Sequence, residues 1–524
     1  MRPTFLGFQA ARSGLVSSQK ALDIVGNNIA NMNTEGYTRQ RVDLISMTFS
    51  GPSSRYAVGN TTLAGQGVYI SGTSQIRDPF LDMRYREQSS YLGTQETVVS
   101  AYTDLENLFD DVTSSGLQDS MVKFMAQIED LSGATDKTEN AGTVLTAAKN
   151  LVQLMNSYSS KLDQIDSQNS TCLDVCVENV NSILEKLSSL NGQIKDACLS
   201  NTMEDPITGG RRMLGPYGPN ELYDDRNLLL DQLSAFGEVD VKTEADSTIT
   251  LTFGGTVVLE GTKADSLSLT KDETGANDLQ WLRAGSEFDS RDGAITAYAN
   301  LLDGKGGYAS TGENDFEGIG YYREVINSFS STLATSFNEA NKIPIVDEFG
   351  APVLDLITGD PTYSGGDLFK TSDGSADYTA DNIRISDDWI ADPQFILMSA
   401  TDDQGKLDNS NILKMISMFD DNTLSFGSSS GSYTEFKGSF EGYLVHFQTK
   451  LGDQKDYYES TCESTTSVAL ELLDARDSVS AVSENEEAIN MMTYQKSYNA
   501  AARLITAVDE MLDVLINKMG RVGL

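Results

Sequence analysis

The chain has 524 residues, enough for more than one hydrophobic core, because single cores stop growing near roughly 250 to 300 residues. A hydrophobic content of 39% with 22% charged residues excludes wholesale disorder. Thirty-eight basic against 77 acidic residues leave a formal charge of -39, which repels phosphate backbones and anionic lipid, so neither nucleic acid nor a membrane is an expected partner.

In chain order, the first predicted element is an amphipathic helix. Phe8, Ala11, Leu15, Ser18, Leu22, Val25, Ile29 and Met32 recur in steps of three and four, the spacing of a narrow helical stripe. Polar residues break every apolar run here, so the start lacks the continuous core of a cleavable signal peptide and export by another route is expected. The Asn- and Gly-rich stretch from Asn27 to Gly36 ends the helix, since both residue types tolerate positive φ. Residues 46–85 read as an extended or β connector. From about 86 to 200 the apolar residues keep helical spacing, as in Leu151, Leu154, Met155 and Tyr158, or Val177, Val180, Ile183, Leu184 and Leu187, which predicts a bundle. A Gly- and Pro-rich loop from Met203 to Pro219 precedes a short helix near 220–235.

The period then changes. Ile249, Leu251 and Phe253 alternate, Thr256-Val257-Val258-Leu259 and Leu267-Ser268-Leu269 follow, and Gly-rich turns separate them, which predicts strands across 236–290. Helices return near 291–302 and 317–341. Residues 343–400, with Pro344, Pro352, Pro361, Gly365 and Gly366, read as a small outer β lobe, and helical spacing resumes from about 405 to Leu473. The last helix carries an unbroken heptad seam: Met491, Tyr494, Tyr498, Ala501, Ile505, Val508, Leu512, Leu515 and Met519. Ser483 with Glu486 predicts a capping box at its start, and Gly520 and Gly523 suit its end.

Two such stripes at opposite ends of one chain bury apolar surface well against each other, making the termini neighbours and the middle an insertion. The charge agrees: residues 1–45 hold Arg2, Arg12, Lys20, Arg39 and Arg41 against Asp23, Glu35 and Asp43, while the segment from 480 on is also close to neutral, so the middle carries the acidic excess. Nearly neutral ends suit packing against other chains, and an acidic middle suits water. The expected fold class is mainly α with β-rich inserted lobes, nested and discontinuous. A terminal coiled-coil domain is expected from 1–45 plus 480–524, and a helical bundle from 86–235 plus 291–342 plus 401–479. A β-rich insertion at 236–290 and the outer β lobe at 343–400 complete the scheme.

No metal, cofactor or catalytic residues are expected. P-loop, dinucleotide, HExxH and nucleophile-elbow motifs do not occur, and His446 is the chain's one histidine. Cys172 and Cys176 are one helical turn apart but lack a second ligand pair, so they read as small apolar residues; the roles of Cys198 and Cys462 are not readable. The loop from Thr371 to Asp377 lacks the spacing and closing glutamate of a calcium loop and reads as a solvated turn.

The stretch Asn27-Asn28-Ile29-Ala30-Asn31, then Asn33-Thr34, then Gly36-Tyr37, resembles the N-terminal signature of flagellar rod, hook and hook-associated proteins, and Tyr37-Thr38-Arg39-Gln40 resembles the hook-associated members. Glu35 stands where that family usually has proline. Near the other end, Ser478-Val479-Ser480, the pair Glu486-Glu487, and Tyr494, Gln495, Tyr498 and Arg503 resemble the family's C-terminal pattern, with Ala481 in place of its usual glycine. The segment from Asn220 to Arg226 is a weaker likeness.

The resemblance implies a structural, non-enzymatic subunit of the bacterial flagellum at the junction of hook and filament, extracellular and assembled helically. It implies as partners other copies of the chain, the hook protein, the next hook-associated junction protein and a flagellar export chaperone. A hook or rod subunit, or a secreted adhesin, are the alternatives. Leu15, Leu22, Val25, Ile29, Tyr494, Tyr498, Ile505, Val508, Leu512, Leu515 and Met519 are the expected subunit-packing residues. Asn27, Asn28, Asn31, Thr34, Gly36, Tyr37, Arg39, Gln40, Gln495 and Arg503 are the signature residues. In a single copy the terminal stripes are expected to be largely disordered until assembly.

Overall fold

A computed structural model describes residues 4–46, 67–109, 116–133, 138–200, 202–204, 211–213, 218–272, 275–310, 314–346, 353–354, 361–400, 408–428 and 432–518. The described chain is mostly helical with small antiparallel sheets. Helix α1 (Thr4–Ala30) leads to a hairpin of β1 (Gln40–Ser46) and β2 (Val68–Gln75). Three helices follow, α2 (Pro79–Phe109), α3 (Leu117–Ser132) and α4 (Thr138–Ser200). At 63 residues α4 is about 95 Å long. The short pair β3 (Thr202–Glu204) and β4 (Arg211–Met213) precedes α5 (Asn220–Ser234).

The predicted strand region is β5 (Val239–Thr243), β6 (Ile249–Phe253), β7 (Thr256–Glu260) and β8 (Lys263–Ala264), paired in that order, with a second hairpin of β9 (Leu267–Lys271) and β10 (Asn277–Trp281). Helices α6 (Ala294–Asp303) and α7 (Ile319–Ala340) come next. The hairpins of β11 (Ile343–Pro344) with β12 (Tyr363–Ser364) and of β13 (Phe369–Thr371) with β14 (Ile383–Ile385) lead to α8 (Asp387–Ala391) and α9 (Ser410–Phe419). A hairpin of β15 (Ser425–Gly427) and β16 (Thr434–Lys437) precedes α10 (Phe440–Ser480) and α11 (Glu484–Asp513), which runs on as a π turn through Val514–Lys518.

Two cores share α4. Its first half, with α2, α3, α7, α9 and the first half of α10, encloses Leu105, Phe124, Leu151, Met155, Phe329 and Tyr443. Its second half, with α5 and the β5 to β10 strands, encloses Leu173, Leu184, Leu233, Phe253 and Trp281. Asparagines fasten the helices to the strands, because a carboxamide can serve one residue's N–H and C=O together. Asn181 bonds both backbone groups of Leu267, at 2.9 and 2.7 Å, and Asn338 does the same for Phe369 at 2.9 Å each.

Three expectations change. Residues 343–400 do not stand apart as an outer lobe: Leu368, Phe369, Ile383, Trp389 and Ile396 are buried in the bundle's own core. The β15–β16 hairpin interrupts a stretch read as helical; Phe426 on it stacks on Tyr443 at 4.2 Å, a tertiary contact that overrides local pattern. Ser483 makes no side-chain cap, because Glu486, its expected reciprocal partner, is drawn to Arg39. Gly520, Gly523, Pro352 and Met519 lie outside the described residues. His446 sits against Glu435, 3.3 Å away, beside Lys450, which bridges Glu435 and Glu317 at 2.9 and 2.8 Å.

The terminal helices pair within one chain: α1 lies along α11 and, on another side, along the β1–β2 hairpin. Their ordering therefore needs no second copy. The hairpin docks at Gly67, where φ is +103° and an added Cβ would collide with Ser13 Oγ and sit 3.2 Å from Ala10 Cα. Gly67→Ala is expected to cost about 1 to 3 kcal/mol, from backbone strain and the lost Val68 N–H bond to Ser13 Oγ. Chemical denaturation, read beside hydrogen exchange at Val68 to Ser74, checks it.

Candidate assembly site

The residues that carry the family resemblance at the two ends of the chain meet at one place. The side chain of Asn28, almost fully buried, accepts from Gln40 N at 3.0 Å and donates to Gln40 O at 2.9 Å, so the helix holds the root of the hairpin as an extra strand would. The Tyr37 hydroxyl donates to Asn28 Oδ1 at 2.8 Å and accepts from Asn27 at 3.2 Å. Asn31 folds back on Asn27 O at 3.0 Å and closes the helix end. Thr34 bonds Asn31 at 3.4 Å in the exposed turn that follows. Gly36 then takes φ +78°, which places the turn against Leu228 of α5.

From the other end of the chain comes Glu487, whose side chain is 1% exposed. It accepts from Arg39 Nε at 2.9 Å and from Asn28 Nδ2 at 3.2 Å, while Arg39 Nη1 donates to Glu486 at 2.6 Å. Arg39 N donates to Ser480 O at 2.9 Å, just before the corner into α11. Asn28, Arg39 and Glu487 therefore form a clasp between segments about 450 residues apart in sequence.

A second layer ties the clasp to the body. Asp231 on α5 accepts from Arg86 of α2 and Arg476 of α10, each at 2.7 Å, with Arg77 at 4.0 Å; Arg77 also bonds Asp82 and Thr38. The Arg476 guanidinium lies 4.4 Å over the Tyr85 ring. Asp224 accepts from Gln75 of β2 at 2.8 Å, and its other oxygen is buried without a hydrogen-bond partner. Burial pushes the Asp224 carboxyl up to about 6, against the pull of Thr38 and Arg77.

A folded-state value above the ordinary carboxylate value makes this group stabilising at low pH, and the contribution is lost as pH rises through about 6. Asp224→Asn is therefore expected to raise the melting temperature at pH 7.5, and to flatten its fall between pH 4 and 7 relative to the unaltered chain. Paired melting curves across that range check it; identical slopes in the two proteins would contradict it.

The predicted packing residues occupy one seam. Leu15, Leu22, Ile29, Tyr494, Tyr498, Ile505 and Leu512 are half-buried, and Val25 and Val508 are buried. Leu515 lies in the π turn, without a described side chain, and Met519 is outside the described residues. Because α1 is the main neighbour of α11, these residues pack helix to helix inside one chain instead of between copies. Among the signature residues, Gln495 and Arg503 are exposed on α11, away from the clasp.

What the seam leaves uncovered is a second stripe on α11. Ile489, Met492, Leu504, Met511 and Val514 are 45 to 58% exposed, and they fall in heptad steps with Lys496, Ala500 and Ala507 between them. This stripe was missed because the stronger seam absorbed the pattern; reading the heptad again, two positions earlier, finds it. The burial of Glu487 was missed too, since beside Ser483 it reads as a helix-start acid. Among the described residues no cluster of metal-ligating side chains occurs, and no helix is long and apolar enough to cross a membrane.

Comparison with known proteins follows the same geography. The family described as flagellar hook-associated protein FlgK helical domain matches residues 102–345. The flagella basal body rod protein family matches 8–38, and the flagellar basal body rod FlgEFG protein C-terminal family matches 476–518, the two segments that form the clasp. Flagellar hook-associated protein 1 of Bacillus subtilis (strain 168) is 28% identical, over 99% of each chain, and that of Escherichia coli (strain K12) is 22% identical over 97% of this chain and 98% of its own. The solved structure of the flagellar hook junction protein FlgK from Burkholderia pseudomallei aligns with a TM-score of 0.55 at 11% identity, covering 76% of this chain and all of that one, a likeness of fold. The chain belongs to the FlgK family of flagellar hook-associated proteins.

Proposed function

We propose that the chain is a structural subunit of the bacterial flagellum, exported without a cleaved signal peptide, whose copies assemble helically on the hook to form the junction with the filament. The observation that carries this reading is the clasped α1–α11 pair with its apolar outer stripe, set at the nearly neutral ends of a chain of net charge -39. A stripe of large apolar side chains held in water calls for a partner, and repeated copies bring little like charge together there. The seam residues serve assembly by fixing α11 so that this stripe faces outward. The organisation proposed is a terminal unit from 1–45 plus 480–524 that packs between copies, and a body that faces solvent. Hook protein, the next junction protein and an export chaperone are the proposed partners, and no catalytic step is invoked.

A rod or hook subunit is the second reading, favoured by the B. subtilis rod protein FlgG, 45% identical over 53 residues, but that match spans 9% of this chain. The test is to mix purified protein with isolated hooks and with isolated filaments, then sediment and image. The junction reading expects caps on hook ends. Binding to neither, or growth into hook-like tubes, would reject it.

A further inference from the structure

Helix α11 and the β1–β2 hairpin lie on different sides of α1. Asn28 holds the hairpin root at Gln40, and Ser13 holds its tip, donating groups meeting at Val68 N–Ser13 Oγ, 3.1 Å. Fifteen helical residues span about 22 Å and seven strand residues about 23 Å, so the hairpin runs the length of that stretch of α1. The helices are antiparallel, with Asn28 level with Glu487. The hairpin tip is therefore level with α11 about fifteen residues further on, close to Leu504.

At that tip Ile45 and Tyr69 are a direct cross-strand pair, 55 and 49% exposed, with Leu44 beside them at 46%. At the same level α11 exposes Leu504, and Met511 follows two turns on. At the root the hairpin exposes Arg41, and at that level α11 exposes Glu484 and Glu486. Along one axis, then, the hairpin reads basic then apolar, and α11 reads acidic then apolar. The two surfaces are complementary in charge and polarity, yet they face different directions on one molecule. Neither suits a symmetric contact, in which Arg41 would meet Arg41; each suits the other surface on a second copy, a head-to-tail arrangement that propagates.

We propose that the β1–β2 hairpin receives the outer stripe of α11 from the next copy, with Ile45 and Tyr69 seated against Leu504 and Met511. This rests on the assembly reading and names its contact. The hairpin also presents open strand edges on both sides, which leaves room for the incoming helix without breaking a ladder.

The test places a photoreactive benzophenone amino acid at Tyr69 of the full chain, mixes it with a heavy-isotope copy, assembles the mixture on isolated hooks and maps the cross-link. The expected product joins position 69 to the heavy peptide 504–518. A link confined to another segment of the second copy, to hook protein or to the chain's own α1 overturns the proposal while leaving assembly standing; absence of protein from the hook pellet overturns both. In parallel, Tyr69→Asp is expected to reduce co-sedimentation about tenfold or more with its melting temperature unchanged, and adding Leu504→Lys to recover most of it. No recovery from the double substitution counts against the contact.

Discussion

Glu487→Ala is expected to destabilise the terminal unit by about 3 kcal/mol while leaving the body's unfolding unchanged. The carboxylate is almost fully buried and serves Arg39 and Asn28 together, so its removal strands a guanidinium and a carboxamide in a site closed to water. Glu487→Gln keeps an acceptor for either donor and loses the charge, and should cost about half as much. Hydrogen exchange separates the two regions: α1 and α11 should lose protection together, while α3, α7 and the first half of α4 keep theirs. Uniform loss across the chain would mean that the clasp is part of one cooperative unit with the body, and unchanged exchange in α1 would mean that it contributes nothing.

The second large effect concerns assembly. Leu504→Asp combined with Met511→Asp places two charges on the outer stripe, where the single chain buries neither residue. The monomer should melt as before. Burying each side chain against a partner contributes about 1.5 to 3 kcal/mol, so removing both, and adding like charge, should lower affinity for a growing cap by about a hundredfold or more. Sedimentation with isolated hooks reads this directly. By contrast, Ile505→Asp, one residue away on the half-buried seam, should destabilise α1 and α11 in the monomer itself. Equal behaviour of the two variants would erase the distinction between inner seam and outer stripe.

The helical pairing of the ends was legible because a 3.5-residue period survives over several turns at each end, and a narrow stripe has few ways to hide from water. Which partner each stripe meets was not legible, since periodicity records a buried face and not what covers it. Glu487 illustrates the same limit: its sequence neighbours make it a helix-start acid, and only the return of Arg39 from the far end of the chain turns it into the centre of a clasp. Asp231, with Arg77, Arg86 and Arg476, belongs to four separate stretches of sequence and carries no local signature. Residues 365–398 were read as peripheral from their Gly, Asp and Ser content. Trp389 and Phe369 nonetheless insert into the bundle core, and a few large side chains outweigh a polar composition. The strands of 239–281 were read correctly because alternation with β-branched residues and Gly turns is a local property.

The account turns on where the outer face of α11 goes when copies come together. Electron cryo-microscopy of hook–filament junctions that carry this protein, at a resolution that traces side chains, measures it. Ile489, Met492, Leu504 and Met511 should be packed against a neighbouring copy, with the Asn28–Arg39–Glu487 clasp intact in every subunit. Density in which that face borders open water, or in which α1 and α11 have parted to pair with other chains, would contradict it.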